Sequence, residues 1–256
     1  MALDRRRFLT LAAVSSAAGG WLSSTAARTV TTPPRFQAVA FDAFPVFDPR
    51  PVFARAEALF PGEGAELSNA WRTRQFEYQW LRATSGRYAD FWQTTEDGLV
   101  FAAKQIGIEL TADKRARLMQ AYLELEAWPD VLPALRLLKE AGMRLVFLSN
   151  MTRRLLEAGI RNSALEGLFE KVLSTDQIKG YKPEPRAYQM GIDALGLKPE
   201  SILFAAFAGW DVAGAKWFGY PTFWVNRLNS PGEELGVSAD AAGRDLLDLA
   251  RFVTAH

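Results

Sequence analysis

FQAVAFDAF, residues 36–44, is the stretch of sequence that decides the fold. It is a short apolar run that contains valine and aromatic side chains, a pattern typical of a buried β-strand. Asp42 interrupts the run near its end, and Pro49 and Pro51 follow soon afterwards. The stretch therefore predicts a buried strand that ends in one carboxylate.

The residues after Pro129 alternate between strand and helix patterns. Residues 143–150, MRLVFLSN, and 201–208, SILFAAFA, predict buried strands, while 130–142, DVLPALRLLKEAG, predicts an amphipathic helix that ends at Gly142. This alternation indicates an α/β fold: a Rossmann-like parallel sheet with helices on both faces. The first strand, within residues 36–44, is expected in the same sheet.

The segment between these two regions has only helical patterns. Residues 68–84 and 111–128 carry apolar side chains at helical spacing and few β-branched residues. Thr111 precedes an acid-containing turn and predicts a helix N-cap. We therefore predict a core domain of residues 36–50 and 129–256, with a helical cap domain of residues 51–128 inserted after the first strand.

The first 27 residues predict a signal peptide. Three arginines precede a short apolar stretch, and small residues follow up to Ala27. The segment resembles a twin-arginine export signal through Arg5, Arg6, Phe8 and Leu9. An uncleaved membrane anchor is the alternative, but serines and glycines interrupt the apolar part. We expect a linker at residues 28–35, the export machinery as a partner, and a periplasmic location.

The composition excludes several classes of site. The chain has no cysteine, and its one histidine is His256, so thiol catalysis and histidine-based triads lack their parts. Lysine plus arginine number 30 against 29 acids, which gives no support for a nucleic-acid-binding face. Catalysis would have to use carboxylate, lysine, arginine, hydroxyl or amide side chains.

Polar residues follow the predicted strands. They are Asp42, Ser149, Asn150, Lys182 and Asp211. Reactive groups collect at the carboxyl ends of strands in a parallel sheet, so we expect these side chains to converge on one site. Four of them also have a structural interpretation: Asp42 as the polar end of a strand, Ser149 and Asn150 as a turn and helix N-cap, and Lys182 as a solvated loop residue.

Six motifs, in order, resemble a known family. FDAF, LSN, GYKPEPRAYQ and GWDVAGA resemble the haloacid dehalogenase superfamily. WRTRQFEYQWLR and GRYADFWQTTEDGL, in the predicted cap, are similar to its type II (S)-2-haloacid dehalogenases. The resemblance extends over nearly all of residues 36–226.

The resemblance implies a hydrolase that cleaves the carbon–halogen bond of short 2-haloalkanoic acids through an aspartyl ester. Asp42 would be the nucleophile, Lys182 would supply positive charge, and Asp211 would position Lys182 or the hydrolytic water. The implied substrate-binding residues are Phe44, Gln75, Phe91, Ser149, Tyr188 and Trp210. The implied halide-binding residues are Arg74 and Asn150. The family is often dimeric, so a homodimer is a further expectation.

A phosphatase is one alternative within the superfamily. Its phosphatase branch carries a second aspartate two residues after the nucleophile, and Phe44 stands at that position here. Mg²⁺ needs clustered oxygen ligands, whereas the AGWD motif offers only Asp211. We therefore expect no metal and no cofactor.

A catalytically impaired relative that binds a small carboxylate is the other alternative. Val46, Ala206 and Ala208 stand where the type II pattern usually has polar side chains. Two of those polar groups, at positions 206 and 208, belong to the water site. The apolar residues therefore bear mainly on hydrolysis of the ester, since attack and halide capture keep most of their residues.

Overall fold

A computed structural model describes residues 35–255. The predicted signal peptide and nearly all of the predicted linker lie outside these residues, as does His256. Within the described part of the chain, no helix is long and apolar enough to cross a membrane.

Six parallel strands form the sheet, in the order β3-β2-β1-β4-β5-β6. Their bounds are β1 Ala38–Phe41, β2 Arg144–Ser149, β3 Lys171–Ser174, β4 Ile202–Ala206, β5 Thr222–Val225 and β6 Ala241–Gly243. Strand β1 lies in the middle of the sheet and is buried throughout. A strand covered on both faces requires an unbroken apolar run, which is the pattern of residues 38–41.

Helices cover both faces of the sheet. The helices after the insert are α5 Val131–Glu140, α6 Arg153–Asn162, α7 Pro185–Leu195, α8 Gly209–Phe218 and α9 Leu246–Thr254. Alternate residues of β1 enter different apolar clusters: Val39 and Phe41 pack with α5, α6 and α9, and Ala38 and Ala40 pack with α7 and α8. The predicted Rossmann-like α/β fold is confirmed.

Four helices lie between β1 and α5. They are α1 Arg50–Leu59, α2 Gly64–Thr84, α3 Phe91–Ile106 and α4 Ala112–Gln120. Thr111 accepts a hydrogen bond from the Lys114 backbone N–H, so the predicted N-cap is confirmed. An isolated antiparallel bridge between Phe47 and Ala127 joins the two ends of this insert.

The insert and the sheet share an apolar core. Trp71 of α2, Leu99 of α3 and Leu118 of α4 belong to the same buried cluster as Leu135 of α5. The described residues accordingly form one compact unit. The division into a core of residues 36–50 and 129–256 and a cap of residues 51–128 stays a prediction.

Candidate active site

The carboxyl ends of β1 and β2 bring two polar side chains together. Asp42 directly follows β1, and its backbone N–H donates to the Ala205 carbonyl of β4 at 3.1 Å. Ser149 ends β2, and its Oγ donates to Asp42 Oδ1 at 3.0 Å. The contact follows from the parallel register, in which Phe41 lies opposite Phe147.

Lys182 carries the buried positive charge of the site. Its side chain is 1% exposed, and its Nζ lies 2.9 Å from Asp42 Oδ1 and 2.6 Å from Asp211 Oδ2. Burial lowers the pKa of the Lys182 ammonium, but attraction to Asp211 and Asp42 outweighs burial, so the pKa is raised. A charged ammonium is therefore fixed against the Asp42 carboxylate.

Asp211 is the second carboxylate bonded to Lys182. It lies in the first turn of α8 and is 1% exposed. Burial raises the pKa of Asp211 to about 6, although Lys182 opposes the shift. The Tyr188 hydroxyl donates to Asp211 Oδ1 at 2.7 Å, and burial raises the pKa of Tyr188 well above its ordinary value. Tyr188 therefore stays protonated and remains a donor.

Gly214 lets helix α8 approach Tyr188. A β-carbon at position 214 would meet the Tyr188 hydroxyl oxygen and the Pro183 ring. That hydroxyl donates to Asp211, so a side chain at position 214 would displace the donor. The second glycine of the GWDVAGA motif thus serves the geometry of the site.

The acids of the site are arranged around an ammonium. Residues 35–255 contain no group of three or more His, Cys, Asp or Glu side chains that could hold a metal ion. Asp42 and Asp211 share Lys182 Nζ between them. The ammonium supplies the positive charge that paired carboxylates require when they are buried.

A cavity of about 510 Å³ lies over Asp42. Its volume is in the range of small-molecule sites, and its lining is mostly apolar and aromatic. The predicted site residues that line it are Asp42, Phe44, Gln75, Phe91, Ser149, Asn150 and Trp210. Lys182, Tyr188 and Asp211 do not line the cavity but are linked to Asp42 through the buried contacts described above.

One face of α2 forms a wall of this cavity, which we call the α2 wall. Its members are Ala65, Ser68, Asn69, Arg72, Gln75, Phe76 and Gln79. They recur every three or four positions, so they project from one side of the helix.

Arg74 is not part of the α2 wall. It lies about 200° around the helix from Arg72, since each residue turns the helix by about 100°. Its Nη1 lies 2.8 Å from Glu77 Oε2, and its guanidinium stacks 3.8 Å from the centre of the Phe101 ring. The structure therefore does not bring Arg74 to the site, whereas Arg72 lines the cavity. Within the described residues, Arg72 has no carboxylate partner.

Asn150 connects three parts of the site. Its Oδ1 accepts the Lys182 backbone N–H at 2.8 Å and the Thr175 hydroxyl at 3.3 Å. Its Nδ2 donates to Gln79 Oε1 of α2 at 3.1 Å. The N-cap of the following helix α6 is Thr152, so the interpretation of Ser149 and Asn150 as that cap is wrong.

Sequence reasoning missed Arg72 and Gln79. The resemblance named Arg74 and Gln75 on this helix and gave neither Arg72 nor Gln79 a role. The signal that could have identified them is the three- and four-residue spacing that relates them to Gln75, which was predicted.

The three apolar residues that stand in place of polar ones in the type II pattern differ in burial. Val46 and Ala206 are fully buried. Ala208 lines the cavity and precedes α8 as an N-cap without a side-chain hydrogen bond. Only Ala208 therefore faces the space that a ligand would occupy.

Comparisons with known proteins place this site in a family. A model of the haloacid dehalogenase-like hydrolases matches residues 26–219. The (S)-2-haloacid dehalogenase of Pseudomonas sp. (strain YL) is 40% identical over 203 residues, which are 79% of this chain and 88% of that relative.

Two solved structures have the same fold. An L-2-haloacid dehalogenase matches with a TM-score of 0.84 and 42% identity, covering 86% of this chain and 99% of that one. The enzyme from Xanthobacter autotrophicus with chloropropionic acid covalently bound matches with a TM-score of 0.79 and 33% identity, covering 86% and 98%. With the motifs in order and the strand ends assembled around Asp42, this chain belongs to the haloacid dehalogenase-like hydrolase family.

Proposed function

We propose that this protein hydrolyses the carbon–halogen bond of short 2-haloalkanoic acids, with Asp42 as the nucleophile. The observation that carries the proposal is the 2.9 Å contact of Lys182 Nζ with Asp42 Oδ1 beside a largely apolar cavity. A carboxylate attacks carbon best when it is ionised, aimed and poorly hydrated. The relatives named (S)-2-haloacid dehalogenase support the substrate class.

The two oxygens of Asp42 have different surroundings. Ser149 Oγ and Lys182 Nζ both donate to Oδ1. The described residues make no hydrogen bond to Oδ2, which leaves Oδ2 as the attacking atom. Oδ2 forms a bond to C2 of the haloacid, the carbon–halogen bond breaks, and the halide leaves with the bonding electrons. The product of this step is an ester of Asp42.

The donors on Oδ1 then serve the second step. Water adds to the Cγ carbon of the ester, and negative charge develops on Oδ1. Lys182 Nζ and Ser149 Oγ already point at that oxygen, so they form an oxyanion site without rearrangement. The bond from Cγ to the ester oxygen breaks, and the hydroxy acid leaves with the former Oδ2. One proton of the water goes to that oxygen and the other to solvent, so Asp42 returns as a carboxylate with one oxygen from water.

Arg72 is the cation that we propose for the departing halide. It lines the cavity from an exposed position of the α2 wall and has no carboxylate partner among the described residues. Arg74, the residue named by the resemblance, is held by Glu77 and Phe101 instead.

Halide release by the full chain tests the proposal. The two enantiomers of 2-chloropropionate are assayed separately with the wild-type protein, Asp42→Asn and Asp48→Asn. Asp48 is a matched control because it lies in the same loop and contacts Arg50. We expect halide from the wild type and Asp48→Asn, and a loss on the order of 10⁴-fold or more in Asp42→Asn. Full activity of folded Asp42→Asn would refute the nucleophile.

A protein that forms the ester but does not hydrolyse it is the second candidate. The cavity-lining Ala208 favours it, because no polar side chain at this position can hold a water molecule. Intact-mass spectrometry after the same incubation separates the two. A single burst of halide with a stable mass gain on Asp42 would support the second candidate, and steady release with unmodified protein the first.

We also propose export to the periplasm and assembly as a homodimer. Export is supported by the twin-arginine-like pattern at Arg5 and Arg6. Cell fractionation of the wild type and an Arg5→Lys, Arg6→Lys variant tests it, and equal periplasmic amounts would refute the pattern. Light scattering coupled to size exclusion measures the oligomeric state.

A further inference from the structure

Gln79 is a buried residue of the α2 wall with an uncommitted donor. Its side chain is 0% exposed, and it lines the cavity over Asp42. Within the described residues, Gln79 Nε2 has no hydrogen-bond partner. Burying an amide donor without an acceptor costs free energy, which an acceptor group of a ligand in the cavity would recover.

The orientation of the Gln79 amide is fixed by a chain of hydrogen bonds. The chain starts at the Lys182 backbone N–H, which can only donate, and this N–H points at Asn150 Oδ1. The other end of the Asn150 amide, Nδ2, is therefore a donor, and it faces Gln79 Oε1. Gln79 Oε1 is therefore used by Asn150, and Nε2 is the amide atom of Gln79 that this chain of hydrogen bonds does not include. An exchange of its two amide atoms would place two donors against each other.

Gln75 and Gln79 differ in what is left for a ligand. Both line the cavity from α2, four positions apart. Gln75 Nε2 donates to Thr95 Oγ1 of α3, so its donor is bonded to the protein. Among residues 35–255, Gln79 bonds only through its oxygen, which leaves its Nε2 hydrogens for a ligand.

We propose that Gln79 Nε2 donates a hydrogen bond to an anionic group of the reactant in this cavity, either the halide or the carboxylate oxygen. The inference rests on the proposed function, whose substrate carries the carboxylate and releases the halide in this cavity. An amide donor binds either acceptor, and charge-assisted hydrogen bonds are the stronger ones. Gln79 is then a substrate-binding residue that acts beside Asn150 and Arg72.

Gln79→Glu isolates the donor. Glutamate keeps an oxygen for Asn150 Nδ2 and replaces Nε2 with a second carboxylate oxygen that repels an anion. Gln79→Leu removes the donor without adding charge and serves as the second variant. Gln105→Glu is the matched control, because it makes the same charge change at an exposed position of α3.

Binding is measured without turnover, by the shift of thermal unfolding on titration with bromide and, separately, with propionate. We expect Gln79→Glu to weaken the binding of one of these anions at least about tenfold, Gln79→Leu to weaken it less, and Gln105→Glu to leave it unchanged. Weaker bromide binding assigns the donor to the halide, and weaker propionate binding assigns it to the carboxylate.

Unchanged binding of both anions in the folded Gln79 variants would overturn the inference, as would a wild type that binds neither anion. These results are separate from failure of the proposed function. A wild type that releases no halide but binds an anion through Gln79 would refute dehalogenation and keep the inference.

Discussion

The cavity lies between the carboxyl end of the sheet, which we call the sheet edge, and the α2 wall. The polar groups of these two regions differ in how completely the protein bonds them. At the sheet edge, Asp42, Lys182, Asp211 and Tyr188 are bonded to one another in one buried network. On the α2 wall, Arg72 has no carboxylate partner and Gln79 has a free donor within the described residues. The groups proposed for catalysis are therefore held by the protein, whereas Arg72 and Gln79 keep capacity to bind a ligand.

Removal of the Lys182 ammonium from the sheet edge should give the largest effects on stability and activity. Lys182→Met leaves the buried Asp211 and the partly buried Asp42 without a counter-ion. We expect the free energy of unfolding to fall by about 3–5 kcal/mol. We also expect halide release to fall on the order of 10³-fold, because the oxyanion loses a charged donor. Urea unfolding and a halide assay measure the two effects.

Lys179→Met is the matched control for this variant. Lys179 pairs with Asp176 at the surface and is 65% exposed, so its loss should change stability by less than about 1 kcal/mol. Equal stability of the two variants would contradict the buried network.

Alanine variants of two arginines of α2, Arg72 and Arg74, should sharpen the comparison on the α2 wall. We expect Arg72→Ala to lower kcat/KM roughly 10²-fold, because the departing halide loses its cation. Arg74→Ala should change it by less than about threefold, since Arg74 contacts Glu77 and Phe101 instead of the cavity. A larger loss in Arg74→Ala would restore the assignment made from the resemblance.

Acid should lower the activity of the protein without unfolding it. The pKa of Asp211 is raised to about 6, so proton uptake below that pH neutralises the partner of Lys182. We expect kcat to fall about tenfold between pH 7 and pH 5. Because the pKa in the folded protein exceeds the ordinary aspartate value, this uptake favours the folded state as pH falls. Circular dichroism should stay unchanged, and inactivation that coincides with unfolding would argue against Asp211.

Tyr188→Phe should give the smallest effect. The Tyr188 hydroxyl lowers the pKa of Asp211 by donating to the ionised form. Its loss should therefore move the acid limb of the pH–rate profile to higher pH, while activity above the limb falls by at most about tenfold. A limb that moves to lower pH would contradict the assigned donor.

The sequence predicts the sheet edge well because strand ends are marked in the chain. A buried strand requires an apolar run, and Asp42 and Ser149 stand where such runs stop. Strand β6 was missed, since its three residues, Ala-Ala-Gly, carry no pattern of alternation. Its parallel pairing with β5 places it in the sheet, although the pattern of its own residues does not indicate a strand.

The α2 wall was harder to predict because its side chains depend on the rotation of one helix. The choice between Arg72 and Arg74 needs the helix phase, and tertiary contacts fix that phase: Trp71 Nε1 donates to the Thr95 carbonyl of α3, and Trp80 Nε1 to the Lys182 carbonyl. A free donor such as Gln79 Nε2 appears only when all the partners around it are known.

A single turnover in H₂¹⁸O, with protein in excess over 2-chloropropionate, tests the central claim most directly. The account predicts that the hydroxyl oxygen of the product comes from Asp42, so lactate carries ordinary oxygen and the Asp42 peptide gains one ¹⁸O. Lactate that carries ¹⁸O, with Asp42 unlabelled, would show that water attacks the substrate directly and would contradict the ester.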